Sequence, residues 1–140
     1  MRALCICLGL MLVVAAGAEE KKAEETLEVK AKLVEIPSQF PPDDLYDYAY
    51  VMKYEVVGGK LDKQTLLVAH YKPKAKRSEI KDKMKASVSG TLKRFKQGDL
   101  HQLTLRTAME KIWKGAVVDD FLATDKKTPR YWCLKVDPAS

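Results

Sequence analysis

48-YAYVMKYEVVGGKLDKQTLLVAHYK-72 decides the fold of this 140-residue chain. Its first ten residues are rich in aromatic and β-branched side chains, which suit a pleated and half-buried surface. Gly58 and Gly59 stop that run, residues 60–64 read as a connection, and a second run follows in which Leu66, Val68 and His70 share one face at period two. The two runs predict an antiparallel hairpin.

Working outward, 27-LEVKAKLVEI-36 alternates apolar with charged residues and predicts another half-buried strand. Between it and the hairpin, 37-PSQFPPDDLYD-47 holds three prolines and three aspartates and reads as a loop. Downstream, residues 72–87 lose the alternation, and Ile80 and Met84 at i, i+4 predict a short helix over 79–85. Alternation returns weakly in 86-ASVSGTLKRF-95, with Gly90 as a bend, then a turn at 96-KQGD-99 and a clear strand 100-LHQLTLR-106. A short helix over 108–115, the segment 116-AVVDDFL-122, a polar turn and a last strand 131-YWCLKV-136 complete the chain.

The first five strands, with a helix between the third and fourth, follow the order of the oligonucleotide- and oligosaccharide-binding barrel, the OB-fold, and the C-terminal helical turn and strand are an appendage to it. A β-sandwich would show about seven strands and no helix in the middle. The expectation is an all-β chain with one or two short helices, folded as a small OB-like barrel over residues 27–137.

Residues 1–18 have an early arginine, an apolar run and the triplet Ala16-Gly17-Ala18, the layout of a signal peptide cleaved after Ala18. The apolar run is shorter than the about 20 residues that a bilayer span needs. Residues 19–26, charged in both signs, read as a flexible leader. Cleavage would leave 122 residues and remove one arginine, so the formal charge of +6 falls to +5. The expected location is periplasmic or secreted, with no membrane span after cleavage. Of three cysteines only Cys133 would remain, which excludes a disulfide framework. Its alternation with Trp132 and Leu134 makes it a buried strand residue.

The combination 48-YAYVMKYEVVGGKL-61, 66-LLVAHYKP-73 and 95-FKQGDLHQLTL-105 resembles a family of small exported bacterial proteins with OB-like barrels. The resemblance covers roughly Tyr48 to Leu105. Such proteins are associated with envelope systems that acetylate exported polysaccharides, so the resemblance implies an accessory role rather than a catalytic one.

Two histidines, His70 and His101, and Asp99 are the residues from which a two-histidine, one-carboxylate metal centre could be built. Against this, Gln97-Gly98-Asp99 has the composition of a tight turn, and both histidines lie at the end of an apolar strand face. Half-buried imidazoles with one backbone partner are the simpler expectation, a polar cluster at the barrel mouth a sharper one. No serine lies in a Gly-x-Ser-x-Gly or Ser-x-x-Lys motif, and Gly58-Gly59 lacks the rest of a phosphate loop. No catalytic residue, metal or cofactor is assigned.

The charge asymmetry lies elsewhere. Between Lys72 and Lys96 stand ten basic residues against Glu79 and Asp82. Lys72, Lys74, Lys76, Arg77, Lys81, Lys93, Arg94 and Lys96 are the candidate ligand-binding face, either a solvated surface or a patch that attracts a polyanion. In the cytoplasm a basic barrel would suggest nucleic acid, with Tyr54, Tyr71 and Phe95 as stacking residues. Export replaces that partner with an anionic polysaccharide or an envelope protein. Tyr46, Tyr48, Tyr50 and Tyr54 share one strand face, as core or as a sugar platform. The expected function is a non-catalytic envelope binding module; the alternative is a metal-dependent enzyme using His70, Asp99 and His101.

Overall fold

The computed structural model describes residues 26–38 and 47–140. The expected signal peptide, nearly all of the expected leader and most of the proline-rich loop lie outside these residues. Six strands form one sheet: β1 (Leu27–Glu35), β2 (Tyr48–Val56), β3 (Thr65–Tyr71), β4 (Leu100–Arg106), β5 (Ala116–Val118) and β6 (Arg130–Pro138). One short helix, α1 (Met109–Ile112), precedes β5.

The sheet order is β1-β4-β6-β3-β2-β5, and β1 also pairs with β2. That extra pairing closes five strands in the cycle β1-β2-β3-β6-β4, with β5 left outside on β2. The pairs within the cycle are antiparallel except β3 with β6, where Leu67 to Ala69 run parallel to Arg130 to Trp132. The chain is β-rich and forms a small OB-like barrel, as the strand pattern predicts. Among the described residues no helix is long and apolar enough to cross a membrane.

Three expected elements differ, two of them strands. Residues 86–95 are not a barrel strand; they make only an isolated parallel bridge, Ser89 with Lys135. The strand at 131–136, expected as an appendage, is instead the closing strand β6. The reason is local: Gly90 has φ +117°, and a Cβ there would stand 2.0 Å from the Val136 carbonyl oxygen. The segment therefore crosses the end of β6 in backbone contact, with Ser89 N–H donating to Leu134 O at 2.9 Å and Leu92 N–H to Val136 O at 3.2 Å.

The helix expected over 79–85 is replaced by two 3-10 turns, Arg77–Glu79 and Lys85–Ser87. Asp82 is responsible, because its carboxylate accepts the Met84 N–H at 2.9 Å and the Tyr71 hydroxyl at 2.6 Å. An aspartate that captures nearby backbone donors competes with helix formation.

Alternation along the strands separates two cores. Val29, Ala31, Leu33, Met52, Tyr54, Val56, Leu66, Val68, Leu103, Leu105 and Val136 fill the barrel. The opposite faces of β2, β3 and β6 present Ala49, Val51, Leu67, Ala69, Tyr71 and Trp132 to a second layer, where Ile80, Met84, Val88, Trp113 and Phe121 cover them. Trp113 and Trp132 stack with centroids 6.2 Å apart. Each has a polar anchor: Trp132 Nε1 donates to Ser87 O at 2.8 Å, and Trp113 Nε1 to Ala116 O at 3.0 Å. Buried indoles of this kind contribute apolar area without leaving an N–H unsatisfied.

Gly90→Ala should lower stability by more than about 3 kcal/mol, because the new Cβ meets backbone rather than a yielding side chain. Gly58→Ala, at φ +84° in the hairpin turn with nothing within 4 Å of the added carbon, carries only backbone strain. It should cost about 1–2 kcal/mol. Urea unfolding of the two variants measures the difference.

Candidate functional site

His70 on β3 and His101 on β4 are not on paired strands, because β6 lies between them. Both nonetheless point into the barrel, at 1% and 0% exposure, because each shares the parity of its strand's inward residues. They meet at Tyr54 on β2. The Tyr54 hydroxyl lies 2.8 Å from His70 Nε2 and 2.9 Å from His101 Nδ1. One imidazole accepts the phenol proton while the other donates its N–H to the phenol oxygen, so the three groups bond with no net charge.

Each histidine's partner is thus a side chain, where a backbone group and a half-buried ring were expected. Burial pushes both imidazoles below their usual range, and Arg77 lowers His70 further. Burial likewise holds the Tyr54 phenol well above its ordinary value. His70 Nδ1 and His101 Nε2 are buried and have no partner among the described residues.

Asp99 does not join this cluster. It is exposed, and its backbone carbonyl accepts the Leu33 N–H at 2.9 Å while Gly98 N–H donates to Leu33 O at 2.7 Å. The Gln97-Gly98-Asp99 turn thereby clips β1 to the start of β4. Among the described residues no group of three His, Cys, Asp or Glu side chains could hold a metal ion.

Phe95 covers the cluster. Its ring centroid is 4.5 Å from that of His70 and 5.8 Å from that of His101. Arg77 lies against the same ring, with Cζ 5.4 Å from the centroid. Arg77 was expected on the exposed basic face but is 4% exposed. The turn at Arg77–Glu79 carries it inward, where its NH2 nitrogen donates to Lys72 O at 2.6 Å and Ala75 O at 3.0 Å.

On the solvent side of Phe95 lies a depression of about 370 Å³ lined by Pro73, Lys74, Lys76, Glu79, Lys93, Arg94 and Phe95. Four of the candidate basic residues are therefore gathered around one aromatic floor. Glu79 adds the only acid, and its carboxylate accepts the Lys76 backbone N–H at 3.1 Å. Lys81 and Lys96 are exposed but do not line this depression. Lys72 faces Asp47, with Nζ 2.8 Å from Oδ1.

The other candidates are structural. Tyr50 and Tyr54 are buried and Tyr48 is half-buried, so the tyrosine face is core; Tyr46 lies outside the described residues. Tyr71 belongs to the outer layer, 5.1 Å from Trp113. Cys133 is buried in the barrel, and burial pushes its thiol up to about 12. The residue whose importance the sequence pattern understated is Phe95, which joins the groove to the buried cluster.

Comparison with protein-family profiles, curated proteins and solved structures finds no match to this chain.

Acid should destabilise this barrel through the two histidines. Their folded values lie below 6.5, so the unfolded chain binds protons first as pH falls through that value, and stability present above it is progressively lost. Two such groups give a slope of up to about 2.7 kcal/mol per pH unit until the folded values are reached. Urea midpoints across this range measure the slope, and replacing both histidines by apolar residues should flatten it. Tyr54→Phe, which strands two imidazole nitrogens, should cost about 2–4 kcal/mol at neutral pH by the same assay.

Proposed function

We propose that this chain is an exported, non-catalytic binding module of the cell envelope that contacts an anionic polysaccharide through its basic face. The observation that carries this reading is the convergence of Lys74, Lys76, Lys93 and Arg94 around Phe95. Cations supply attraction for a polyanion, and an exposed aromatic edge supplies a surface for the apolar face of a sugar ring. Neither alone would suggest a carbohydrate.

The covered sheet narrows where a ligand can bind, and the N-terminal sequence supports the location. OB barrels bind oligomers on the face of their second and third strands. Here the outer sides of β2 and β3 are covered by Trp113, Phe121, Ile80 and Met84, which leaves the connection from β3 to β4 as the accessible basic region. The apolar run within residues 1–18, with its Ala-Gly-Ala triplet, supports export, and an exported basic protein meets acidic glycans rather than nucleic acid. The resemblance to exported envelope proteins points the same way, towards an accessory partner of polysaccharide modification.

Immobilised polygalacturonate should retain the purified protein at low ionic strength and release it as salt rises. The triple variant Lys74→Glu, Lys76→Glu, Lys93→Glu should bind roughly tenfold or more weakly, since it reverses the local field. Neutral dextran should retain neither. Absence of retention of the unaltered protein on the acidic polymer would sink the reading.

A further inference from the structure

Arg77 stands apart from the other basic residues of this face. It is the only buried residue of fixed charge among the described residues. Both protons of its NH2 nitrogen are used by the Lys72 and Ala75 carbonyls, while Nε is buried without a partner among the described residues. No described carboxylate forms an ion pair with it. Cys133 and Tyr54 are the nearby groups that favour its charge, and burial keeps both neutral. A buried cation without an anion is costly, and buried charges in folded proteins are ordinarily paired, so this one has a place for an anion.

The surrounding space has the corresponding form. A second depression, of about 210 Å³, is walled by Arg77, Gly90, Thr91 and Leu92. Lys76 and Lys93 line both this depression and the larger one above Phe95, so the two adjoin. The sheltered guanidinium lies over the Phe95 ring, with Cζ 5.4 Å from its centroid, so cation and aromatic edge are reached from adjoining depressions.

Resting on the reading that this face binds an anionic polysaccharide, the geometry points to Arg77 as the anchor for the carboxylate of a hexuronate unit whose ring lies against the exposed edge of Phe95. A hexuronate carries its carboxylate directly on the sugar ring, so one unit reaches platform and cation together. Free sulfate or phosphate has no ring face for Phe95. A neutral hexose leaves the cation unpaired. With NH2 already occupied, Arg77 offers single donors rather than a two-pronged fork, and Lys76 and Lys93 supply the remaining positive charge.

The Nε–Hε resonance of Arg77, followed by NMR in the unaltered protein, tests this without a variant. Glucuronate should shift it saturably, whereas glucose, and sodium sulfate at matched ionic strength, should not. Arg77→Gln, checked for retained fold by circular dichroism, should bind polygalacturonate roughly tenfold more weakly while keeping its affinity for dextran sulfate. Retention of the protein on polygalacturonate with an unmoved Arg77 resonance would overturn this assignment and leave the basic-face reading standing. Equal losses on both polymers would also overturn it, by reducing Arg77 to a general charge. Failure of the unaltered protein to bind either polymer would remove both.

Discussion

The parallel pairing of β3 with β6 is the constraint on which the molecule depends. Antiparallel neighbours can be joined by a short local connection, as β2 and β3 are by residues 57–64, but a parallel pair needs a long crossover. Here the chain leaves β3 at Tyr71 and next forms a strand only at Leu100, and the partner strand β6 comes after a further excursion through α1 and β5. Those two excursions cover the outer faces of β2, β3 and β6. The first of them also carries Arg77, Phe95 and the lysines of the groove. Barrel closure therefore creates the candidate site as a by-product of connectivity.

The hairpin and the strands β1 and β4 were legible because inward and outward residues alternate cleanly and glycines mark the turns. The closing role of β6 is not legible in its residues, because pairing partners are a property of topology and a strand's own sequence does not name them. The false strand at 86–95 had the right alternation, yet Gly90 takes a backbone conformation that brings it against Val136 rather than into a ladder. The missing helix had the right spacing, but Asp82 and Tyr71 bond each other across eleven positions, which no local pattern shows.

The site was half legible. Composition located the lysines, and strand parity placed the histidines inward, but neither told which of the ten cations would be withdrawn from water. Arg77 reads like its neighbours in the sequence; only the Lys72 and Ala75 carbonyls, turned inward by the chain after β3, distinguish it. Tyr54 likewise reads as one of an alternating tyrosine series. Its role between two imidazoles follows from barrel closure, which brings residues of β2, β3 and β4 to one level of the interior.

Both tryptophans of the chain lie in the outer layer, Trp132 at 0% and Trp113 at 8% exposure, and the barrel interior contains none. Indole fluorescence consequently reports on the layer that covers the barrel, while the imidazole proton signals of His70 and His101 report on the barrel itself. The protein thus carries its own pair of spectroscopic reporters, one for each core. Whether the cover can loosen while the barrel stays closed becomes an observable of the unlabelled molecule.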